Sequence, residues 1–385
     1  MTALKDLFLL DPTVVFLNHG SFGACPKVVF AAYQAWQRRF EDQPVKFMRE
    51  LDGFEVEARR ALAAYLHADP ADLAFVTNVT YGVNLVARAL DFEPGDEILT
   101  SDHEYGACDN AWNFVCRKTG AVYRHQPVRF PAASPAEVIE QLWQGVTPRT
   151  RLIYLSHITS PTALRMPVEE ICRRARQQGI MTFIDGAHAP GQIPLDLDAL
   201  DADFYTGNNH KWMMAPKGSG FLHANKRVHA KVEPLVVSRL FDPEQLAESG
   251  APVMDLLTYN GTRDPSAFLA TPEAIRFMAE HNWDAVRADC HALLRQAIQR
   301  VCDFTGLPPF YPLDSDFYSQ MGLAPLPPET DVVKLRQRLY DGFKVELPVI
   351  QWQSIRGLRI SIQGYNTEAD VDALLAALRA SLPCV

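Results

Sequence analysis

FIDGAHAPGQIPLDLDALDADFYTGNNHKWMMAPKGSGFLHA, residues 183 to 224, decides the reading of this chain. An apolar run at 180–184 leads straight into Asp185. A strand ending there sets its carboxylate at the carboxyl edge of a sheet, where open α/β sheets bind ligands. A second strand candidate, ADFYTG at 202–207, stops shortly before Lys211. A lysine amine able to form a Schiff base, and a carboxylate beside a ring nitrogen, are the two groups that pyridoxal 5'-phosphate (PLP) demands. Taken singly, the aspartate reads as a turn or helix cap and the lysine as a solvated charge. Their company argues otherwise. His188, Asn208 and His210 flank the pair, and APKGSG at 215–220 offers small residues that let backbone approach a ligand.

Outward from this stretch, short apolar runs alternate with amphipathic ones, the rhythm of an α/β domain. LAFVT (73–77), DEILTS (96–101), AVYRHQPV (121–128), RLIYLSHI (151–158), IMTFID (180–185) and GSGFLHA (218–224) supply strand candidates. YGVNLVARAL (81–90) reads as a helix, and so does VEEICRRARQQG (168–179), with Val168, Ile171, Cys172 and Ala175 on one face and Gly179 as its stop. The expectation is an α/β fold, a mostly parallel central sheet with helices on both faces, plus a smaller C-terminal α+β domain. Near residue 240 the rhythm breaks, a helical block follows over 271–301, and EADVDALLAALRASL closes the chain. The large domain is therefore assigned to 16–239 and the small one to 240–385, packed with residues 1–15.

The chain has 385 residues, 48% hydrophobic and 22% charged, enough apolar material for two domains. A net charge of -9 argues against nucleic acid, which needs a concentrated basic patch. The basic pairs Arg38-Arg39, Arg59-Arg60 and Arg173-Arg174 sit in helical patterns and read as solvated faces. Seven cysteines with no CxxC pair suggest neither a zinc knuckle nor a disulfide framework, which fits a reducing cytoplasm. His103-Glu104 lacks the second histidine of a zincin helix, so no metal is expected. No run is apolar enough for a membrane helix, and the start shows no export signal.

Beyond residue types, the chain resembles the class V aminotransferase family of PLP enzymes (fold type I), and DGAHAPG followed by TGNNHKWMMAPKGSGFL resembles its isopenicillin N epimerase-like branch. LNHGSFGACP (17–26), FVTNVTYGVN (75–84), ITSPTALRMPVEEI (158–171), NGTRDPSAF (260–268) and LRISIQGYNTEADV (358–371) carry the resemblance across nearly the whole chain, in the family's order. The resemblance implies a Schiff base on Lys211 and a ring-nitrogen contact at Asp185. It implies a phosphate site at Asn78, Val79 and Thr80, where a helix N-terminus favours negative charge; alone, the segment reads equally as an ordinary N-cap. Asn208 and His210 match phosphate-side positions, Asn208 standing where related cysteine desulfurases have serine; an amide still donates. Tyr105 matches the ring that stacks on the pyridine, and His188 a neighbour of the phenolic oxygen.

The resemblance further implies that Thr262 reaches a partner's phosphate across a two-fold homodimer, whereas by itself it reads as a turn before a proline-initiated helix. Arg359 matches the clamp for the substrate α-carboxylate, a task suited to a planar guanidinium. Asn18, His19 and Ser21 are assigned to the substrate side. The expected substrate is an amino acid, with Lys211 as base at Cα. Epimerisation, transamination and loss of a β or γ substituent all remain open, and Tyr105 and His19 are candidates for a second proton donor. A persulfide-forming desulfurase is disfavoured, because no cysteine occurs between Cys302 and Cys384. The reading of a different class is a non-catalytic relative using the fold for binding or assembly, against which the joint presence of Asp185, Lys211 and Arg359 argues.

Overall fold

The computed structural model describes residues 4–238 and 253–382. Its strands, numbered in chain order, are β1 (Val15–Phe16), β2 (Leu73–Val76), β3 (Glu97–Ser101), β4 (Val122–Gln126), β5 (Thr150–Ser156), β6 (Met181–Gly186), β7 (Phe204–Asn208), β8 (Gly220–Ala224), β9 (Met321–Pro325), β10 (Val345–Glu346), β11 (Val349–Trp352) and β12 (Ile355–Ser361). Seven form one sheet in the order β2-β8-β7-β6-β5-β3-β4. β8 runs antiparallel to both its neighbours, and the remaining pairs are parallel.

Strand sequences explain the layering. Successive side chains point to opposite faces. Ile184, Tyr205 and Phe221 enter one apolar cluster, with residues of the helices Pro44–Leu66, Pro135–Trp143 and Val168–Gln177. Phe183, Phe204 and Leu222 enter the other, with the helices Val79–Ala89 and Gly106–Thr119. Strands buried on both faces read as continuous apolar runs, as LAFV and GFLHA do. The expected helices on both faces of a mostly parallel sheet are thus present. At the edge, β4 carries Arg124 and His125 and is only partly buried, as suits an edge strand.

The second layer system is antiparallel, β11-β12-β9, backed by the helix Trp283–Thr305 and flanked by Val332–Phe343 and Glu368–Ser381. β1 pairs in parallel with β10, so the first strand of the chain lies in the C-terminal layer. The helical block expected over 271–301 consists of two helices, Thr271–Glu280 and Trp283–Thr305, separated where Asn282 adopts a left-handed backbone with φ of 47°. The helices Val253–Thr258, Ser266–Leu269 and Thr271–Glu280 pack on β2 and on the helices Lys27–Asp42 and Pro44–Leu66. The boundary expected between 239 and 240 lies outside the described residues, as does Cys384. No helix among the described residues is long and apolar enough to cross a membrane.

Candidate active site

The carboxyl ends of β2, β5, β6 and β7 open on one cavity of about 320 Å³. The chain's order across the sheet reverses between β3 and β5, and ligands of open α/β sheets bind at such a switch. Asp185 reaches this edge at the end of β6, buried, with Ser156 and Thr206 beside it in the ladder. Its carboxylate accepts hydrogen bonds from Tyr154 Oη (2.9 Å), the Ala187 N–H (2.8 Å) and Cys108 Sγ (3.5 Å). Burial raises its pKa; the Ala187 and Tyr154 hydrogen bonds and the Lys211 charge oppose that rise. Among the described residues no cation forms a salt bridge with it.

Lys211 lies in a tight turn after β7, where the Met214 N–H donates to Lys211 O and Ala215 N–H to Asn209 O, both at 3.0 Å. Met214 has φ of 62°, a conformation that costs a methionine about 1–3 kcal/mol and persists only where packing enforces it. Two glycines supply that enforcement. A Cβ on Gly23 would come within 2.1 Å of His210 O, and one on Gly191 within 2.3 Å of the Trp212 carbonyl carbon. Burial, then the Arg359 charge, holds the Lys211 ammonium down to about 8, with Asp185 opposing. Its Nζ stands 3.2 Å from His188 Nε2. Trp212 Nε1 donates to His188 Nδ1 (3.4 Å), so the neutral ring carries its proton on Nε2, which can donate to the lysine only once the ammonium has lost its own proton.

The helix Val79–Ala89 begins at the cavity with Asn78 as N-cap, accepting from Tyr81 N–H at 2.9 Å. Asn208 Oδ1 accepts from Val79 N–H at 3.0 Å, which leaves the amide NH₂ of Asn208 as donor. Asn78, Val79, Thr80, Asn208 and His210 all line the cavity. His210 donates through Nδ1 to Ser219 O (3.0 Å), and burial lowers its pKa to about 4. An arriving dianion would favour its protonated form, with both nitrogens donating. These donors at a helix N-terminus suit a phosphate.

Arg359, on β12, is buried and has no carboxylate partner among the described residues. Nη1 donates to Ser160 O (2.7 Å) and Oγ (3.1 Å), Nη2 to Ser21 Oγ (3.1 Å), and Nε has no partner. Ser21 and Ser160 line the cavity, so the guanidinium stands behind its wall. Asn18 lies one step further out, accepting from Ser21 Oγ (2.6 Å) and donating to Glu346 (3.0 Å). Tyr105 lines the cavity and is half exposed.

Asn18 thus stands behind Ser21 without lining the cavity, and two more expected residues fall elsewhere. His19 does not line the cavity: it is fully buried behind the lysine turn, with Nδ1 3.0 Å from Tyr365 Oη and Nε2 3.0 Å from Lys211 O. Both ring nitrogens are occupied and burial pushes its pKa down to about 3, so it is no candidate for a proton donor to substrate. Thr262 is exposed and lines no part of its own chain's cavity. The sequence reading missed Ser156, Ser160, Phe22, Lys217 and Glu104. Ser160 sits within ITSPT and Lys217 within APKGSG, both stretches already singled out; Glu104 was weighed only with His103 as half of a zincin motif.

A site with an uncompensated carboxylate, a depressed lysine and a phosphate-type helix N-terminus at a sheet switch defines a PLP enzyme. Residues 26–374 match the aminotransferase class-V family, and the chain belongs to that family. It is 39% identical to an isopenicillin N epimerase of Streptomyces clavuligerus over 98% of this chain and 97% of the relative. A putative L-cysteine desulfhydrase of Oryza sativa subsp. japonica is 30% identical, covering 96% of this chain and 84% of the relative. Among solved structures, a cystine C-S lyase complexed with cysteine persulfide superposes with a TM-score of 0.81 at 21% identity, covering 95% of this chain and 97% of that one. A cysteine desulfurase of Escherichia coli gives 0.78 at 22% identity, covering 99% and 98%.

Proposed function

We propose that the protein removes and returns the proton at the α-carbon of an amino-acid substrate, as an isopenicillin N epimerase-like enzyme. The observation that carries this is Arg359, a buried cation with no counter-ion among the described residues, beside a cavity that also holds Lys211 and Asp185. A buried unpaired charge is costly, and a substrate α-carboxylate would supply the missing partner. When bound, PLP supplies the electron sink that makes the α-proton acidic. Asp185 would hold the ring nitrogen protonated, and the Lys211 amine would hold the cofactor's aldehyde carbon, then act as base at Cα. Asn78, Val79, Thr80, Asn208 and His210 would take the phosphate, with Tyr105 covering the ring and His188 beside the phenolic oxygen.

Incubation with a panel of L-amino acids in deuterated water tests this. Deuterium at Cα with loss of optical purity supports epimerisation; keto acid or unexchanged substrate counts against it. The similarity to a putative L-cysteine desulfhydrase supports a second reading, C–S bond cleavage. With no cysteine at 303–383, sulfur would leave as free sulfide rather than pass to a protein thiol. Sulfide release from cysteine separates the two. The exposed position of Thr262 supports a two-fold homodimer in which each chain lends this hydroxyl to the other's phosphate, and the free thiols of the six described cysteines suit the cytoplasm.

A further inference from the structure

Glu104 is buried beside the site and has no part in the chemistry proposed above. Its surroundings explain why a carboxyl is there. β3 and β5 pair from Glu97–Thr150 only as far as Leu99–Ile153. Beyond that point β3 stays with β4 up to Ser101, while β5 follows β6 up to the Ser156–Asp185 pair. A gap therefore opens between β3 and β5, and the cavity lies at its mouth. The N–H of Ser156 faces this gap with no strand to receive it. Glu104 Oε2 takes the place of the missing carbonyl, accepting from Ser156 N–H at 2.9 Å and Ser156 Oγ at 2.6 Å. Oε1 lies 2.6 Å from Ser101 Oγ, which also accepts from His103 N–H at 3.2 Å.

The carboxyl thus ties the loop after β3 to the end of β5, one ladder step from Asp185. The next residue is Tyr105, which lines the cavity, starts the helix Gly106–Thr119 and makes no side-chain hydrogen bond among the described residues. We propose that Glu104 is a positioning residue for the cofactor face, bridging β3 and β5 so that Tyr105 is held over the ring site and Ser156 beside Asp185. The inference rests on the reading of Tyr105 as the ring's cover. Burial, with the Asp185 charge adding to it, pushes Glu104 up to about 8. In that neutral form Oε1 donates to Ser101 while Oε2 still accepts both Ser156 groups, so every bond is kept and no second negative charge stands near Asp185. Tyr154, Tyr123, Cys108 and His125 also lie within its field.

Glutamine has the shape and hydrogen-bonding pattern of the neutral acid, which gives a clean test. PLP affinity by titration of the apoprotein, and the visible circular dichroism of the bound cofactor, are measured for Glu104→Ala, Glu104→Gln, Tyr105→Ala and the Ala/Ala double variant. Leaving Ser156 N–H buried without an acceptor is expected to weaken PLP binding about tenfold in Glu104→Ala and to shrink the dichroic band. Glu104→Gln is expected to restore both to within about twofold. In the Tyr105→Ala background the Glu104→Ala change should weaken binding by less than it does in the parent, since part of its effect passes through Tyr105. Should Glu104→Ala not accumulate folded, Glu104→Asp, one methylene too short to span the gap, carries the same expectation. Parental affinity and dichroism in Glu104→Ala, failure of glutamine to restore them, or an undiminished loss in the Tyr105→Ala background each overturns the proposal. A parent protein that leaves Lys211 unlabelled after borohydride overturns instead the reading of the site.

Discussion

Replacing Arg359 by lysine keeps a positive charge behind the cavity wall but removes the fork that meets both oxygens of a carboxylate. The guanidinium is already oriented by Ser160 O and Oγ on one nitrogen and Ser21 Oγ on the other, so little ordering remains to be done when substrate arrives. Each charge-assisted hydrogen bond to the carboxylate contributes roughly 1.5–3 kcal/mol. Losing one of two, with the lysine free to wander, should cost about 2 kcal/mol, a rise of roughly 30-fold in the substrate's dissociation constant. Arg359→Ala loses both and should cost about 3–5 kcal/mol. The assay is a spectrophotometric titration of the PLP-loaded protein with an amino acid that binds the parent, and with the matching amine that lacks the carboxylate. The parent should prefer the amino acid, and the preference should collapse in Arg359→Ala while cofactor content is unchanged. A preserved preference would refute the reasoning, since the carboxylate must then be recognised elsewhere.

Lys211→Ala should give a protein that borohydride cannot link to PLP, checked by mass spectrometry of the reduced peptide. Asp185→Asn should still bind PLP but lose about 10²-fold or more in α-proton exchange, because the amide cannot keep the ring nitrogen protonated; exchange in deuterated water reads this. Phe183→Ala, emptying a fully buried position on β6, should lower stability by about 3–5 kcal/mol in urea unfolding. His157, hydrogen-bonded to Tyr205 Oη, is pushed down to about 3 by burial and then by the Arg165 charge. A histidine whose folded pKa lies below its unfolded value stabilises the fold above about pH 6.5 and loses that contribution as pH falls towards 3, at up to about 1.4 kcal/mol per unit. His157→Gln should therefore flatten the loss of stability between pH 7 and 5 in urea titrations by about 2 kcal/mol.

The sheet and its lysine were legible because their signals are local. β6 and β7 are short apolar runs that end on their functional residues, and period-two burial assigns their side chains to opposite faces. What escaped is set by chain segments meeting from afar. Ser160 and Ser21 orient Arg359 from 199 and 338 positions away, and no pattern within either segment announces that. His19 was placed with substrate by the resemblance of its motif alone; which way the ring turns depends on Tyr365 and the lysine turn, both distant in sequence. Asn282, whose left-handed backbone separates two helices, lies where the apolar period continues on both sides, so the helical block is legible and the break within it is not. Glu104 matters only because two strands diverge, a property of the sheet and not of any segment.

The joining of the chain's two ends has a consequence for biosynthesis. Leu17 O receives the N–H of Ser361, Asn18 bridges to the same residue, and Gly23 presses against the lysine turn. The N-terminal segment that wedges the turn can thus be seated only once the last strand has left the ribosome. Vitamin capture should accordingly be one of the final events of maturation, and chains released early should emerge colourless with their central sheet already formed.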